Sequence, residues 1–88
     1  MDNKPVELVY IKSECGDWEG IYVDGELFGE GHKIDSTIWI FIIKKYKNFT
    51  GFCPTYSFTE EQFEELGDSL PNDIHEIPEH YFKGGTIV

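Results

Sequence analysis

Three groups of side chains in this sequence have the chemistry to act on something else. The largest is the carboxylates: fifteen of the seventeen Asp and Glu fall in two blocks, seven from Glu14 to Asp35 and eight from Glu60 to Glu79. Lys33 is the only base inside either block. Brought side by side, the blocks would form one broad negative surface. Such a surface raises the on-rate for a basic partner, and carboxylates at phosphate-like spacing can occupy a groove that normally holds nucleic acid. The competing reading is that the charge only keeps a small, aromatic-rich domain in solution. Acids so strongly segregated from bases exceed what solubility requires. The candidate contact residues are Asp17, Glu19, Asp24, Glu26 and Glu30 in the first block and Glu60, Glu61, Glu64 and Glu65 in the second. Each would make charge-assisted contacts with Lys or Arg of a partner.

The second group is Gly31-His32-Lys33 near Gly29, whose donors could hold an anionic small ligand with Trp18 or Tyr22 as a stacking wall. This gives the alternative reading of a nucleotide-like ligand-binding module or oligomeric sponge, set against an ordinary bulged strand carrying an exposed Lys. The third group is His32, His75 and His80 with Cys15 and Cys53. Their spacings match no ligand motif, and Pro78 forbids the helix that would stack Glu76 on His80, so neither metal nor cofactor is expected. Cys15 adjoins Gly16 and Asp17, a negative neighbourhood that suppresses a thiolate. Glu60 and Glu64 on an exposed helix read as a solvated face rather than a glycosidase pair. No enzymatic activity is expected from these residues.

Composition bounds what such groups can serve. Eighty-eight residues make one domain, 1–88, with a loose end expected over 83–88. Hydrophobic residues at 40% and aromatics at 16% suffice for a core. Seven Lys and no Arg leave a net charge of −10, which excludes direct binding to duplex DNA or RNA for want of a cationic face. Two widely spaced cysteines read as reduced thiols, not as a disulfide framework. The most apolar run, Ile38 to Ile43, is too short to span a membrane, and Met1 to Pro5 carry no hydrophobic signal region, so cytoplasmic residence is expected.

The elements that must position these groups follow from patterning. Val6 to Ser13 alternates with Val6, Leu8 and Tyr10 on one side and Glu7, Val9 and Ile11 on the other, a strand with both faces partly covered. Trp18 to Asp24 and Glu26 to Lys33 form a hairpin about Asp24-Gly25, with a bulge or close backbone approach at Gly29 and Gly31. Asp35 and Ser36 can cap a helix in which Ile38, Phe41, Ile42 and Tyr46 recur at helical spacing toward Lys44, Lys45 and Lys47. The β-branched content of Thr37 to Ile43 makes a buried strand the competitor, and the cap favours the helix. Thr50 to Phe58 reads as a fourth strand confined by Pro54 to an edge or bulge. Thr59 with Gln62 forms a capping box for a short acidic helix, Glu60 to Leu66, closed by Gly67. Pro71 and Pro78 break any long helix in Leu70 to Phe82, which should wrap the core irregularly.

The run Gly16-Asp17-Trp18-Glu19-Gly20-Ile21-Tyr22-Val23-Asp24-Gly25-Glu26-Leu27, followed by Gly31-His32, resembles a signature of small uncharacterised proteins from bacteria, their phages and mobile elements. Those proteins end near a Leu-Pro dipeptide, as Leu70-Pro71 stands here. The resemblance covers residues 8 to 80 in outline and implies a genomic setting more than a mechanism. Physically, Trp18, Gly20 and Tyr22 share one face of their strand, Gly20 leaving room for an aromatic ring to lie across it. Core packing is the favoured use of these rings over a recognition patch.

The expected architecture is α+β, a three- to four-stranded antiparallel sheet in the order β-β-β-α-β-α. One helix packs on a face, and the other face is incompletely covered, which would invite a homodimer. The expected function is a small acidic cytosolic interaction protein of phage or mobile-element type. It would bind and inhibit a basic, nucleic-acid-binding protein, in the manner of anti-CRISPR and other anti-defence proteins or nucleic-acid mimics. An assembly subunit is the remaining alternative.

Overall fold

Asp24 and Gly25 both take positive φ, 52° and 83°, as a two-residue hairpin turn of the type that matches strand twist requires. They join β2 (Glu19–Val23) to β3 (Glu26–Gly31). The computed structural model describes residues 5–46, 48–49, 53–82 and 86–87. β1 is Leu8–Ser13, β4 is Pro54–Phe58 and β5 is Thr86–Ile87. The sheet order is β3-β2-β1-β4-β5. Thr50 to Phe52 of the expected fourth strand and Lys47 of the expected helix lie outside the described residues. Of the segment expected to be loose, Thr86–Ile87 pair antiparallel with Pro54 and Thr55. Pro54 is the first residue of its strand, where a missing N–H is tolerated.

The α+β architecture stands as expected, but the sheet has a fifth short strand, β4 lies between β1 and β5 rather than at an edge, and one pairing is parallel. β1 pairs antiparallel with β2, but β1 and β4 run parallel, Tyr10 opposite Thr55 through Ser13 opposite Phe58. A parallel pair needs a long crossover rather than a tight turn. The segment between β3 and β4 supplies it by carrying α1 (Ser36–Lys45) across one face. The helix forms despite its β-branched content because Asp35 Oδ1 accepts the N–H groups of Thr37 (3.0 Å) and Ile38 (3.3 Å), and because Ile42 is buried against the sheet. Lys44 and Lys45 occupy its last turn, where the helix dipole favours cations.

The two sides of β1 feed two cores. On the α1 side, Ile21, Val23, Val6, Ile34 and Ile42 are buried, with Leu8, Tyr10, Phe28, Ile38 and Trp39 against them. On the other side, Ile11, Tyr22 and Phe58 are fully buried among Phe63, Leu70, Ile77 and Tyr81. The bulge expected near Gly29 is present. The register shifts so that Ile21 faces Gly29 while Tyr22 faces Leu27, and a Cβ on Gly29 would stand 3.1 Å from Ile38 Cδ1 of α1.

The face expected to be incompletely covered is instead roofed by α2 (Glu60–Glu65) and by two single 3₁₀ turns, Ile74–Glu76 and Glu79–Phe82. Thr59 and Gln62 make both bonds of the capping box, at 2.9 and 3.1 Å. Gly67 at φ 87° closes the helix, with its N–H on Glu64 O and that of Asp68 on Phe63 O. The Leu-Pro dipeptide then locks onto the hairpin. Leu70 fills the space above Gly20, and the Tyr22 hydroxyl donates to Pro71 O. The room that Gly20 leaves is thus taken by an aliphatic side chain from the roof and not by an aromatic ring.

This packing sets an alkaline limit. Burial, with Glu19 hydrogen-bonded beside it, pushes the Tyr10 phenol from 10.0 up to about 12. Burial first, then the carboxylates of Glu30, Glu76 and Asp73, raises Tyr22 further. The fold thus favours the protonated phenols. Their contribution is fully present below the ordinary value of 10.0 and is lost as pH climbs toward the folded value of about 12. The melting temperature should therefore hold up to about pH 10 and fall above it. The fall should be shallower in Tyr10→Phe, and an equal slope in that variant would remove the explanation.

Candidate partner-binding site

The turn between β1 and β2 is built around Ser13, whose buried hydroxyl accepts the N–H groups of Asp17 (3.0 Å) and Trp18 (3.2 Å). The Cys15 thiol lies 3.5 Å from the same hydroxyl and donates to Asp17 Oδ2 at 3.5 Å. This geometry holds Asp17 out to solvent and turns Trp18 back toward the sheet. The capping box fixes α2 opposite, so that a cleft of about 340 Å³ opens between turn and helix. Asp17, Glu60, Glu64 and Asp68 line it, with Trp18, Phe63, Ser13 and Cys15 as its floor and walls. The two acidic blocks therefore do meet.

They do not meet through all of the expected residues. Glu30 Oε1 accepts both the Trp18 indole N–H and the Leu70 N–H, each at 2.9 Å. Glu19 Oε1 accepts the Ile34 N–H at 2.8 Å on the α1 side, and Glu65 accepts the Tyr81 hydroxyl. These three carboxylates hold the fold together. Asp24 and Glu26 are exposed at the hairpin tip, away from the cleft lining, and Asp24 Oδ1 accepts the Glu7 N–H at 3.0 Å. Glu61 is exposed on α2 beside the cleft residues Glu60 and Glu64. Asp17, Glu60, Glu61 and Glu64 are the expected residues left exposed at or beside the cleft, and Asp68 joins them. Among the described residues the acids go largely without cationic partners: Asp73 contacts the His75 ring at 3.0 Å. The His75 hydrogen bonds hold the Asp73 carboxyl below its ordinary range.

The alternative ligand group is dispersed. Tyr22 is fully buried and cannot serve as a stacking wall. The ring of Trp18 meets His32 edge-on at 5.1 Å, and His32 Nδ1 lies 3.1 Å from Asp17 O. That leaves Lys33 exposed with no aromatic face opposite it among these residues. A larger cleft of about 960 Å³ on the α2 side of the sheet is lined by Val9, Tyr56, Ile74, Ile77 and Phe82 together with His75, His80 and Glu79. Glu79 is the sole carboxylate there, so the acidic chemistry sits in the smaller cleft. Among the described residues no three His, Cys, Asp or Glu gather as a metal would need, and no helix is long and apolar enough to cross a membrane.

Sequence reasoning missed Ser13, Phe63 and Asp68. Asp68 carried a signal, since it follows the helix-closing Gly67 and itself takes a positive φ of 63°, which Asp tolerates better than most residues. No family model, no curated protein and no solved structure matches this chain.

Proposed function

We propose that this protein is a small acidic interaction protein that binds a basic, nucleic-acid-binding protein and blocks it, as phage anti-defence proteins and nucleic-acid mimics do. The supporting observation is the cleft in which Asp17, Glu60, Glu64 and Asp68 surround Trp18 and Phe63. A guanidinium or ammonium entering it finds carboxylates on several sides and aromatic surface beneath, the combination that binds Arg side chains through charge-assisted hydrogen bonds and stacking. The rest of the acidic surface steers the approach of such a partner.

The test is titration with an arginine-rich peptide, read by Trp fluorescence at low and high salt. Binding should weaken steeply with salt. It should also weaken by about tenfold or more in Asp17→Asn/Glu60→Gln/Glu64→Gln, while Asp24→Asn/Glu76→Gln/Glu79→Gln, which loses the same charge elsewhere, binds nearly as well. Equal losses in the two triple variants would reduce the cleft to a share of bulk charge and remove the proposal.

A further inference from the structure

Helix α1 is apolar nearly all round. Its inner side, centred on Ile42, packs on the sheet, yet Ile40 is 50% exposed, Phe41 59% and Ile43 62%. These are the large hydrophobic side chains left exposed among the described residues. A surface helix ordinarily carries polar residues there, and a contiguous exposed apolar patch marks an interface.

The charges on this element select the occupant. From Ser36 to Lys45 the helix contains no acid, and its last turn carries Lys44 and Lys45, in a chain of net charge −10. The acidic cleft lies on the opposite side of the sheet, with the α2 core. The α1 exterior is therefore a surface on which two such anions can meet without bringing acid against acid. Its ends are also self-complementary. Asp35 caps the amino end through Oδ1 alone, and the lysines stand at the carboxyl end. Two copies of α1 crossed antiparallel about Ile40, near the helix midpoint, would set Ile40 against its counterpart. Phe41 and Ile43 would flank that contact, and the lysines of each copy would lie beside the partner copy's Asp35. Opposed helix dipoles favour the same arrangement.

We infer that the α1 exterior is a two-fold interface with a second copy of this chain, centred on Ile40. Sedimentation velocity should show the mass rising from 10.2 kDa toward twice that value as concentration rises from micromolar to millimolar. Ile40→Glu places two carboxylates at the axis and should weaken the dimer roughly a hundredfold, with far-UV circular dichroism unchanged because the residue is exposed. Independently of that variant's stability, Ile40→Cys in a Cys15→Ser/Cys53→Ser background should form an intermolecular disulfide under mild oxidation, and Glu61→Cys in the same background should not. A chain that stays monomeric at millimolar concentration overturns the inference. So does a dimer indifferent to Ile40→Glu, or a monomer that sediments with phosphatidylglycerol vesicles, which would assign the patch to a lipid surface.

Discussion

Glu30→Ala is expected to lower the unfolding free energy by about 2–3 kcal/mol, because one carboxylate oxygen serves two donors that have no substitute. The Trp18 indole and the Leu70 amide both bond to Oε1 at 2.9 Å, and Leu70 is itself buried in the core beneath α2. Each donor stranded away from water costs roughly 1–3 kcal/mol, and the partial exposure of Glu30 lets water recover some of that. In a chain of this length the total is on the order of 4–13 kcal/mol, so the loss is a large share of it. Glu30→Gln separates the hydrogen bonds from the charge. Its amide oxygen can still accept from both donors, so it should cost about 1 kcal/mol or less, reflecting only weaker neutral bonds. Denaturant unfolding of the two variants decides the matter. If Glu30→Ala unfolds at the wild-type midpoint, or if Glu30→Gln is as damaging as Glu30→Ala, the carboxylate is not the clamp between hairpin and roof. A Trp18→Phe background sharpens the result. With one donor already gone, removing Glu30 should cost less than in the wild type, and the difference measures the indole bond.

Glu30 also shows where sequence reasoning stops. The elements set by local chemistry are legible along the chain: the Asp24-Gly25 turn, the Thr59 and Gln62 capping box, the Gly67 stop and the Asp35 cap all follow from residues within four positions of one another. The parallel pairing of β1 with β4 does not, since nothing in either strand states to which edge a crossover returns. The side chains of α1 suit a helix and a strand alike. The balance is settled by the cap and by the apolar face of the sheet, whose residues lie far off in sequence. For the site, charge counting locates both blocks, while their meeting is visible only in the fold. Nor can counting divide the carboxylates that face out, such as Glu60 and Glu64, from Glu19, Glu30 and Glu65, which accept bonds from Ile34, Leu70 and Tyr81 at separations of 15, 40 and 16 residues. At Tyr22 the favoured reading, core packing, holds, since the ring is buried and its hydroxyl is used by Pro71, and it is the alternative role as a stacking wall that fails.

Gly20→Val should be the most damaging substitution on the hairpin that adds atoms and removes none, at about 3 kcal/mol. A Cβ at this position would overlap Leu70 Cδ1, well inside any tolerated contact. Leu70 is 4% exposed, wedged among the side chains of the core beneath α2, and its N–H is held by Glu30. The side chain therefore cannot swing clear without disturbing the roof, and the backbone cannot rise without breaking the Glu30 clamp. Gly20→Ala meets the same contact with fewer atoms, and the alanine narrows the unfolded ensemble, so its net cost is smaller, about 1 kcal/mol. The discriminating experiment exchanges the two sizes. Leu70→Ala alone opens a cavity at a cost of about 2–5 kcal/mol. In that background Gly20→Val no longer meets Leu70 and partly fills the space it leaves, so the double variant should be at least as stable as Leu70→Ala alone. The sign of the coupling is the test. If the two destabilisations add, Gly20 is required for some property of its own backbone and not for the approach of Leu70, and the link between the hairpin signature and the Leu-Pro dipeptide loses its physical basis. If they cancel in part, glycine in the hairpin and leucine in the dipeptide are two halves of one contact.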